Sequence, residues 1–594
     1  MNRRARGTYF VAAGLLVCLG GGLLRQYHAE NASHMAFEGD VRLESQLGWT
    51  ESSWASIKPT KELAWIDCYE EGFECGRLQV PLNYSNPEGA SAAIALIRIK
   101  ANVSIDSAEY LGPILFNPGG PGGSGVDLVR GRGKFLATVV GPRFDIVGFD
   151  PRGVARSTPR VSFYETRAER ELWSRSAVRE LNFSSDTVAS SWARTTITGQ
   201  LAGERAMDVL PHIQTDHTAR DMFTITEAHG REKIQYWGFS YGTVLGSTFA
   251  AIFPDKIHRL IIDGVVDVQN DYYTANWRDN LLNTDDTLRW FFKDCHDAGP
   301  EKCSFYESSA EAIGDRLNNL YKSIIRVPIP VRTGISYGLV DYARLRLTIF
   351  NALYKPFDKW ATLATGLSDL EKGNGTVLYQ MLEETLFSCS CDPLEHIFDS
   401  VGEAQTTIAC NDGDVVPASL EEAEEHYKEI LQVSEWGSIW AGLRFGCSSW
   451  PTIPKTFFRG PISGNTSYPI LLIGNTADPV TPLHAAHVVS NGFPGSVVLS
   501  QHSAGHCSVA APSLCTAHVV RDYFVNGTLP KPGTRCPIIG TPFSNETSAS
   551  VSQGHQKQQP LETILTREDV ELLQAWRQIG SMSNGLHKVA PLHV

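Results

Sequence analysis

Lys233-Ile234-Gln235-Tyr236-Trp237 runs directly into Gly238-Phe239-Ser240-Tyr241-Gly242, and the apolar stretch Thr243 to Phe253 follows before Pro254. A short apolar run with strand character, a Gly-x-Ser-x-Gly turn and a buried helix form the setting that lifts a serine hydroxyl clear of a sheet. The flanking glycines allow a backbone turn tighter than residues with a Cβ accept. The pentapeptide alone is a weak signal, and its setting and its partners elsewhere in the chain give it weight.

The setting recurs along the chain. Leu78 to Leu82 and Ala92 to Ile99 alternate enough for two opening strands, expected to be antiparallel. Pro113 to Phe116 and Phe144 to Phe149 are continuous apolar runs, as in strands buried on both faces. Gly125 to Val140 between them has helical spacing, and Ile234 to Trp237, Leu260 to Ile262, Tyr468 to Ile473 and Ser496 to Leu499 continue the strand series. The fold class expected is α/β, a doubly wound, mostly parallel sheet. The residues between Asp263 and Tyr468 interrupt it with amphipathic patterns at Tyr272 to Phe292, Ala310 to Ile325 and Leu420 to Val433. They read as a large, mainly helical cap whose tryptophans, Trp277, Trp290, Trp360, Trp436, Trp440 and Trp450, build its own core or line a pocket. The expected layout is a leader over 1–28, a core over 65–266, the cap over 267–467, a second core part over 468–536 and a polar tail over 537–594. One amphipathic helix is expected in that tail, at Thr566 to Ile579.

Arg3, Arg4 and Arg6 precede an apolar run from Tyr9 to Leu24, the pattern of a cleaved secretory signal. An uncleaved signal-anchor is the alternative, and membrane attachment is expected only in that case. Either reading puts the body outside the cytosol. Asn31, Asn83, Asn102, Asn182, Asn374, Asn465, Asn526 and Asn545 head Asn-x-Ser/Thr acceptors, which are glycosylation candidates there. Twelve cysteines include Cys18 within the apolar run. Cys68 with Cys75 and Cys295 with Cys303 read as local disulfides, and Cys410 with Cys447 and Cys515 with Cys536 as longer staples. Cys389, Cys391 and His396 lack the second ligand pair of a metal site, so neither metal nor cofactor is expected. A net charge of -13 with no basic block argues against nucleic acid as a partner.

A serine hydroxyl needs a base to take its proton, and the base needs an acid to hold its tautomer. Downstream of Ser240, Asp478 sits in the loop Gly474 to Pro479 after one predicted strand, and His506 follows the next. His502 in the same loop is the fallback, whereas His484 and His487 read as surface residues. The order serine, acid, histidine, each after a strand, suits nucleophilic catalysis. Asn117-Pro118-Gly119-Gly120-Pro121-Gly122-Gly123-Ser124-Gly125 lacks the Lys-Ser/Thr of a phosphate-binding loop. It suits an oxyanion hole, with the N–H groups of Gly120 and Tyr241 as the two donors.

The glycine loop, Phe144-Asp145-Ile146-Val147-Gly148-Phe149-Asp150-Pro151-Arg152-Gly153, the Ser240 elbow, Asp478 and Gly505-His506 occur in that order. Together they resemble the tripeptidyl-aminopeptidase and prolyl-aminopeptidase group of serine peptidases in the α/β-hydrolase superfamily, over roughly Trp65 to Cys536. Asn117-Pro118 stands where prolyl aminopeptidases commonly have a histidine. The resemblance implies the α/β-hydrolase fold, the triad Ser240, Asp478 and His506, and release of short N-terminal peptides or residues through an acyl-enzyme. It also implies a cap acid for the substrate's free amine, with Asp279, Asp285, Asp286, Asp412 and Asp414 as candidates. The partner is then a peptide. A small-molecule ester, lactone or amide is the alternative substrate, and a non-catalytic binding protein of the same fold is a third reading.

Overall fold

The computed structural model describes residues 49–177, 180–182, 184–382, 400–454, 457–544 and 565–581. The leader, Cys18, Asn31, Cys389, Cys391, His396 and Asn545 lie outside the described residues. Among the described residues no helix is long and apolar enough to cross a membrane. Trp49, Thr50 and Cys68–Glu71 belong to a small N-terminal unit, in which the Trp49 and Tyr69 rings lie 5.7 Å apart. Glu51–Asp67 and the chain from Gly72 onward form the second unit, which carries the sheet and the site.

That sheet contains β1 (Ile66–Asp67), β2 (Phe73–Pro81), β3 (Ser91–Ile99), β4 (Gly112–Asn117), β5 (Phe144–Phe149), β6 (Ile234–Phe239) and β7 (Ile257–Asp263). A separate antiparallel pair, β8 (Ile329–Arg332) and β9 (Tyr337–Val340), lies in the cap. The main sheet is completed by β10 (Leu471–Ala477), β11 (Val497–Ala504) and β12 (Arg535–Cys536), in the spatial order β1-β2-β3-β5-β4-β6-β7-β10-β11-β12. The β1–β2, β2–β3 and β3–β5 pairings are antiparallel. From β5 to β12 every pairing is parallel. β4, β5 and β6 are buried at every position, matching their unbroken apolar runs. This is the α/β-hydrolase architecture expected from the chain.

Helix Gly125–Val140 starts at Ser124, whose hydroxyl caps Asp127 N–H at 3.0 Å and donates to Asp150 at 2.5 Å. Asp150 also accepts from the N–H groups of Val126 and Arg156, so the end of β5 holds the glycine loop and this helix together. Arg152, two residues on, forms a buried two-pronged pair with Asp221 at 2.5 and 2.7 Å. The tail helix Arg567–Ser581 packs on helix Gly125–Val140 and buries Leu572, Trp576 and Ile579 completely. The tail is polar overall, but the apolar stripe of this helix is enough to dock it.

Three local expectations needed revision. Tyr272 to Phe292 is not one helix: a π-turn at Val268–Tyr272 and a loop with left-handed Ala275 and Trp277 precede helix Thr284–Ala298. The strands β10 and β11 run past Ile473 and Leu499 because polar Asn475 and Gln501 are buried and hydrogen-bonded. The Asn475 amide donates to the carbonyls of Gly505 and Cys507, and Gln501 donates to Asn475 and to Ser508 O. The hairpin β8–β9 was not foreseen. Within the cap, Trp360 and Trp436 are core residues with no exposure, the first of the two roles expected of its tryptophans.

Candidate active site

The parallel strands aim their carboxyl ends at one place, the usual location of a site in an open α/β sheet. Register brings Phe239 of β6 opposite Asp263 of β7, and Asp263 opposite Ile473 of β10. Ser240 follows β6 with φ 56° and ψ −125°. For a residue with a Cβ this conformation costs about 1–3 kcal/mol and persists only where the surroundings enforce it. Its N–H donates to Asp263 O at 3.0 Å, and its carbonyl accepts from Thr243 N at 2.7 Å and Thr243 Oγ1 at 2.6 Å. A Cβ on Gly238 would sit 2.4 Å from Gly242 O, so the turn closes only with glycine there. A Cβ on Gly119 would meet Phe239 O at 2.4 Å and Ser240 Cβ at 2.8 Å. The glycine loop therefore lies directly on the serine turn. Gly120 and Tyr241 share one pocket wall with Ser240 and His506. Tyr241 opens helix Tyr241–Ile252, where a first-turn N–H has no intrahelical acceptor.

Asp478 follows β10 and is completely buried. It accepts from the N–H groups of Val480, Thr481 and Cys507 at 3.0, 2.8 and 2.8 Å, which hold the carboxyl group in place. His506 Nδ1 lies 3.0 and 3.1 Å from the two Asp478 oxygens and 3.1 Å from Thr481 Oγ1. The His506 N–H donates to Tyr354 O, and the Tyr354 ring meets the imidazole edge-on at 5.1 Å. The pairing leaves Nε2 for other contacts, and the Cys507 sulfur is 3.6 Å from it. Among the described residues Cys507 is the free cysteine; burial pushes its thiol well above the ordinary range. His502 faces outward against Trp290, and His484 and His487 are exposed. The histidine that meets the acid is His506.

Behind this pair stands a residue that the linear pattern did not single out. Asp263 is fully buried and accepts from Ser508 N at 2.8 Å and Ser508 Oγ at 2.5 Å. Burial, with the neighbouring Asp478 charge, pushes its carboxyl up to about 6. An acidic residue closing a strand beside the serine strand was the available signal.

Val266, Tyr272, Trp277, Trp440 and Leu443 make the pocket largely apolar. The cap acids considered above do not line it. Asp279 pairs with Arg278, Asp286 with Arg289, and Asp414 with Arg459. Asp285 accepts from Ser434 Oγ, and Asp412 is buried behind the wall, accepting from Thr215 and the Tyr272 hydroxyl. Among the described residues no group of three or more His, Cys, Asp or Glu side chains could hold a metal ion.

Disulfides join Cys295 to Cys303, Cys410 to Cys447 and Cys515 to Cys536; Cys68 and Cys75 are disulfide-bonded as well. Cys410–Cys447 fastens helix Val401–Asp412 of the pocket wall. Asn83, Asn102, Asn182, Asn374, Asn465 and Asn526 are all exposed.

Residues 112–294 match the family described as alpha/beta hydrolase fold, and residues 432–536 match the TAP-like protein family. Serine protease Hip1 of Mycobacterium tuberculosis is 30% identical over 478 residues, covering 78% of this chain and 87% of that protein. Tripeptidyl aminopeptidase of Streptomyces lividans is 27% identical over 512 residues, covering 80% of this chain and 87% of its own. Carboxylesterase B of Mycobacterium tuberculosis is 27% identical over 468 residues, covering 78% and 86%. The fold, the enforced serine turn and these matches agree: the chain belongs to the tripeptidyl-aminopeptidase-like group of α/β-hydrolase serine peptidases.

Proposed function

We propose that this serine peptidase is an aminopeptidase that works outside the cytosol and releases short N-terminal peptides through an acyl-enzyme. The observation that carries the reading is the shared pocket of Ser240, His506, Gly120 and Tyr241, with Asp478 bonded to His506 Nδ1. In this account His506 Nε2 takes the Ser240 proton as Oγ attacks the scissile carbonyl. The N–H groups of Gly120 and Tyr241 stabilise the oxyanion. The tetrahedral intermediate collapses, His506 returns the proton to the leaving amine, and the Ser240 acyl ester remains. Water then repeats the sequence with His506 as base, freeing the peptide acid and restoring the serine. The TAP-like match and the relative named tripeptidyl aminopeptidase support the exopeptidase choice. The disulfides and the leader-like N-terminus support an oxidising compartment.

A second reading keeps the same chemistry for esters of small acids. The apolar wall, without a carboxylate for an ammonium group among the described residues, favours it, as does the relative named carboxylesterase B. Rates on tripeptidyl anilides with free and acetylated amines, set against short acyl esters, separate the two. The aminopeptidase reading expects the free-amine anilide to be hydrolysed well and the acetylated one poorly. Good turnover of short esters alone would replace it with the esterase reading.

A further inference from the structure

One side chain in the pocket wall stands apart from its neighbours in chemistry. Gln405 lies on helix Val401–Asp412, one turn before Ala409, and both residues line the pocket that holds Ser240 and His506. It is 94% buried, at 6% exposure. Its side-chain amide shows no hydrogen bond to any described residue, and it lines the pocket space. Most of the other side chains that line this pocket, Val266, Trp277, Ala409, Trp440 and Leu443 among them, are apolar and offer an amide nothing to pair with. A ligand that displaces water from this pocket must replace the amide's hydrogen bonds or leave it unpaired at a cost, so the group discriminates between ligands that can bond it and those that cannot.

The helix that carries Gln405 is tied to the machinery. A Cβ on Gly122 of the glycine loop would lie 3.2 Å from Gln405 N and 3.0 Å from Val401 O, so the helix start rests on the loop beside the serine. The Cys410–Cys447 disulfide fixes its other end. A second amide on the wall, Asn280, contrasts with it. The Asn280 Nδ2 donates to Val480 O at 2.7 Å, which orients it and commits it to holding the acid loop. Gln405 has no such commitment. It presents an NH2 donor and a carbonyl acceptor on a rigid element, the complement of one residue of an extended chain, whose own N–H and C=O point to the same side.

We propose that Gln405 is a specificity-determining residue that hydrogen-bonds the backbone of one extended residue in the acyl part of the substrate, its Nε2 donating to that residue's C=O and its Oε1 accepting that residue's N–H. The inference rests on the peptidase reading above and gives it a residue: an amide in an apolar slot distinguishes peptidyl from simple acyl substrates without any charge. The flanking Tyr272, Trp277 and Trp440 surfaces then take the apolar side chains of that segment.

The test compares kcat/KM for a tripeptidyl 4-nitrophenyl ester and the butyryl ester of the same phenol. Ser240 labelling by a fluorophosphonate reports that each variant is folded. Wild type is expected to prefer the tripeptidyl ester, and Gln405→Leu to reduce that preference by about 10- to 100-fold, as loss of two hydrogen bonds implies. Gln405→Glu, which keeps an acceptor but not the donor, should fall between them. The Gln405→Leu penalty should shrink on a depsipeptide analogue whose ester oxygen replaces the peptide N–H, a dependence that a purely structural role would not show. An unchanged preference in Gln405→Leu, or an equal penalty on peptide and depsipeptide, overturns the assignment while leaving the peptidase reading intact. A wild-type enzyme with no preference for the tripeptidyl ester overturns both.

Discussion

Asp263 and Ser508 join the strand beside the serine to the loop that carries the histidine: the buried carboxylate accepts the Ser508 N–H at 2.8 Å and its hydroxyl at 2.5 Å. The same residue's main-chain oxygen accepts the Ser240 N–H at 3.0 Å. One residue thus sets the spacing between the two halves of the site. It touches no reacting atom in the proposed reaction and acts through His506 and Ser240.

Replacing Asp263 should therefore lower turnover more than binding. Asp263→Ala leaves the Ser508 donors unpaired in the interior, at a cost of about 1–3 kcal/mol in stability. A fall in kcat of about 10- to 100-fold with KM little changed is expected, since a small displacement of a catalytic group is enough. Ser508→Ala, which keeps the backbone bond, should be milder. Steady-state kinetics beside thermal unfolding measure both effects. An Asp263→Ala enzyme with full kcat would remove Asp263 from any positioning role.

Asp271 predicts a pH dependence of stability. It is almost fully buried beside Asp279 and Asp267, and desolvation first, then those charges, push its carboxyl up to about 7 from 3.8. Between these values the folded protein holds a proton that the unfolded chain has released. The associated stability is fully present below the unfolded value and is lost as pH rises through about 7. Asp271→Asn should stabilise the protein at pH 8 on the order of 1–4 kcal/mol, with the gain shrinking toward pH 5. Denaturant unfolding at the two pH values tests this. A gain independent of pH would contradict it.

The tail helix supports the histidine loop from behind. Trp576 is completely buried, its Nε1 donates to Ala511 O at 3.2 Å, and Gly580 lies against Val509 O. Trp576→Ala should cost about 3–5 kcal/mol, the range for a large buried aromatic. The melting temperature should fall, and kcat with it even well below the melt. Unchanged thermal stability would mean that the helix is dispensable.

The site was readable from the chain where local geometry demands particular residues. The Ser240 turn needs glycine at position 238 on steric grounds, and a buried helix must follow it, so a short window carried most of the information. Asp478 and His506 could be proposed because each follows a strand in the right order. The choice between His502 and His506 could not be derived so directly, since β11 extends to Ala504 and turns His502 outward, leaving His506 in the loop beyond it. What escaped was long-range. Asp263 reads as the polar end of a strand until Ser508 is beside it, and Gln405 reads as one more polar helix residue until the wall around it is known to be apolar. The extra length of β10 and β11 escaped for the same reason: buried Asn475 and Gln501 look like loop residues unless their partners are known.

If Asp478 and His506 act as one unit with Ser240, their substitutions will not add. Asp478→Asn and His506→Ala should each lower kcat by about 10³- to 10⁴-fold or more, and the double variant should be little worse than the worse single. Asp478→Asn also faces three N–H donors with an amide, so circular dichroism must show a folded protein before its rate is interpreted. Multiplicative losses in the double variant would argue for independent roles.

The central claim is that Ser240 is the nucleophile, and mapping a fluorophosphonate adduct by mass spectrometry tests it most directly. Ser247 lies within helix Tyr241–Ile252 and Ser124 caps helix Gly125–Val140, so neither shares the enforced geometry of Ser240. The account predicts a single adduct on Ser240 in the wild type, with neither adduct nor turnover in Ser240→Ala. Covalent labelling at another serine, with hydrolysis retained by Ser240→Ala, would contradict it.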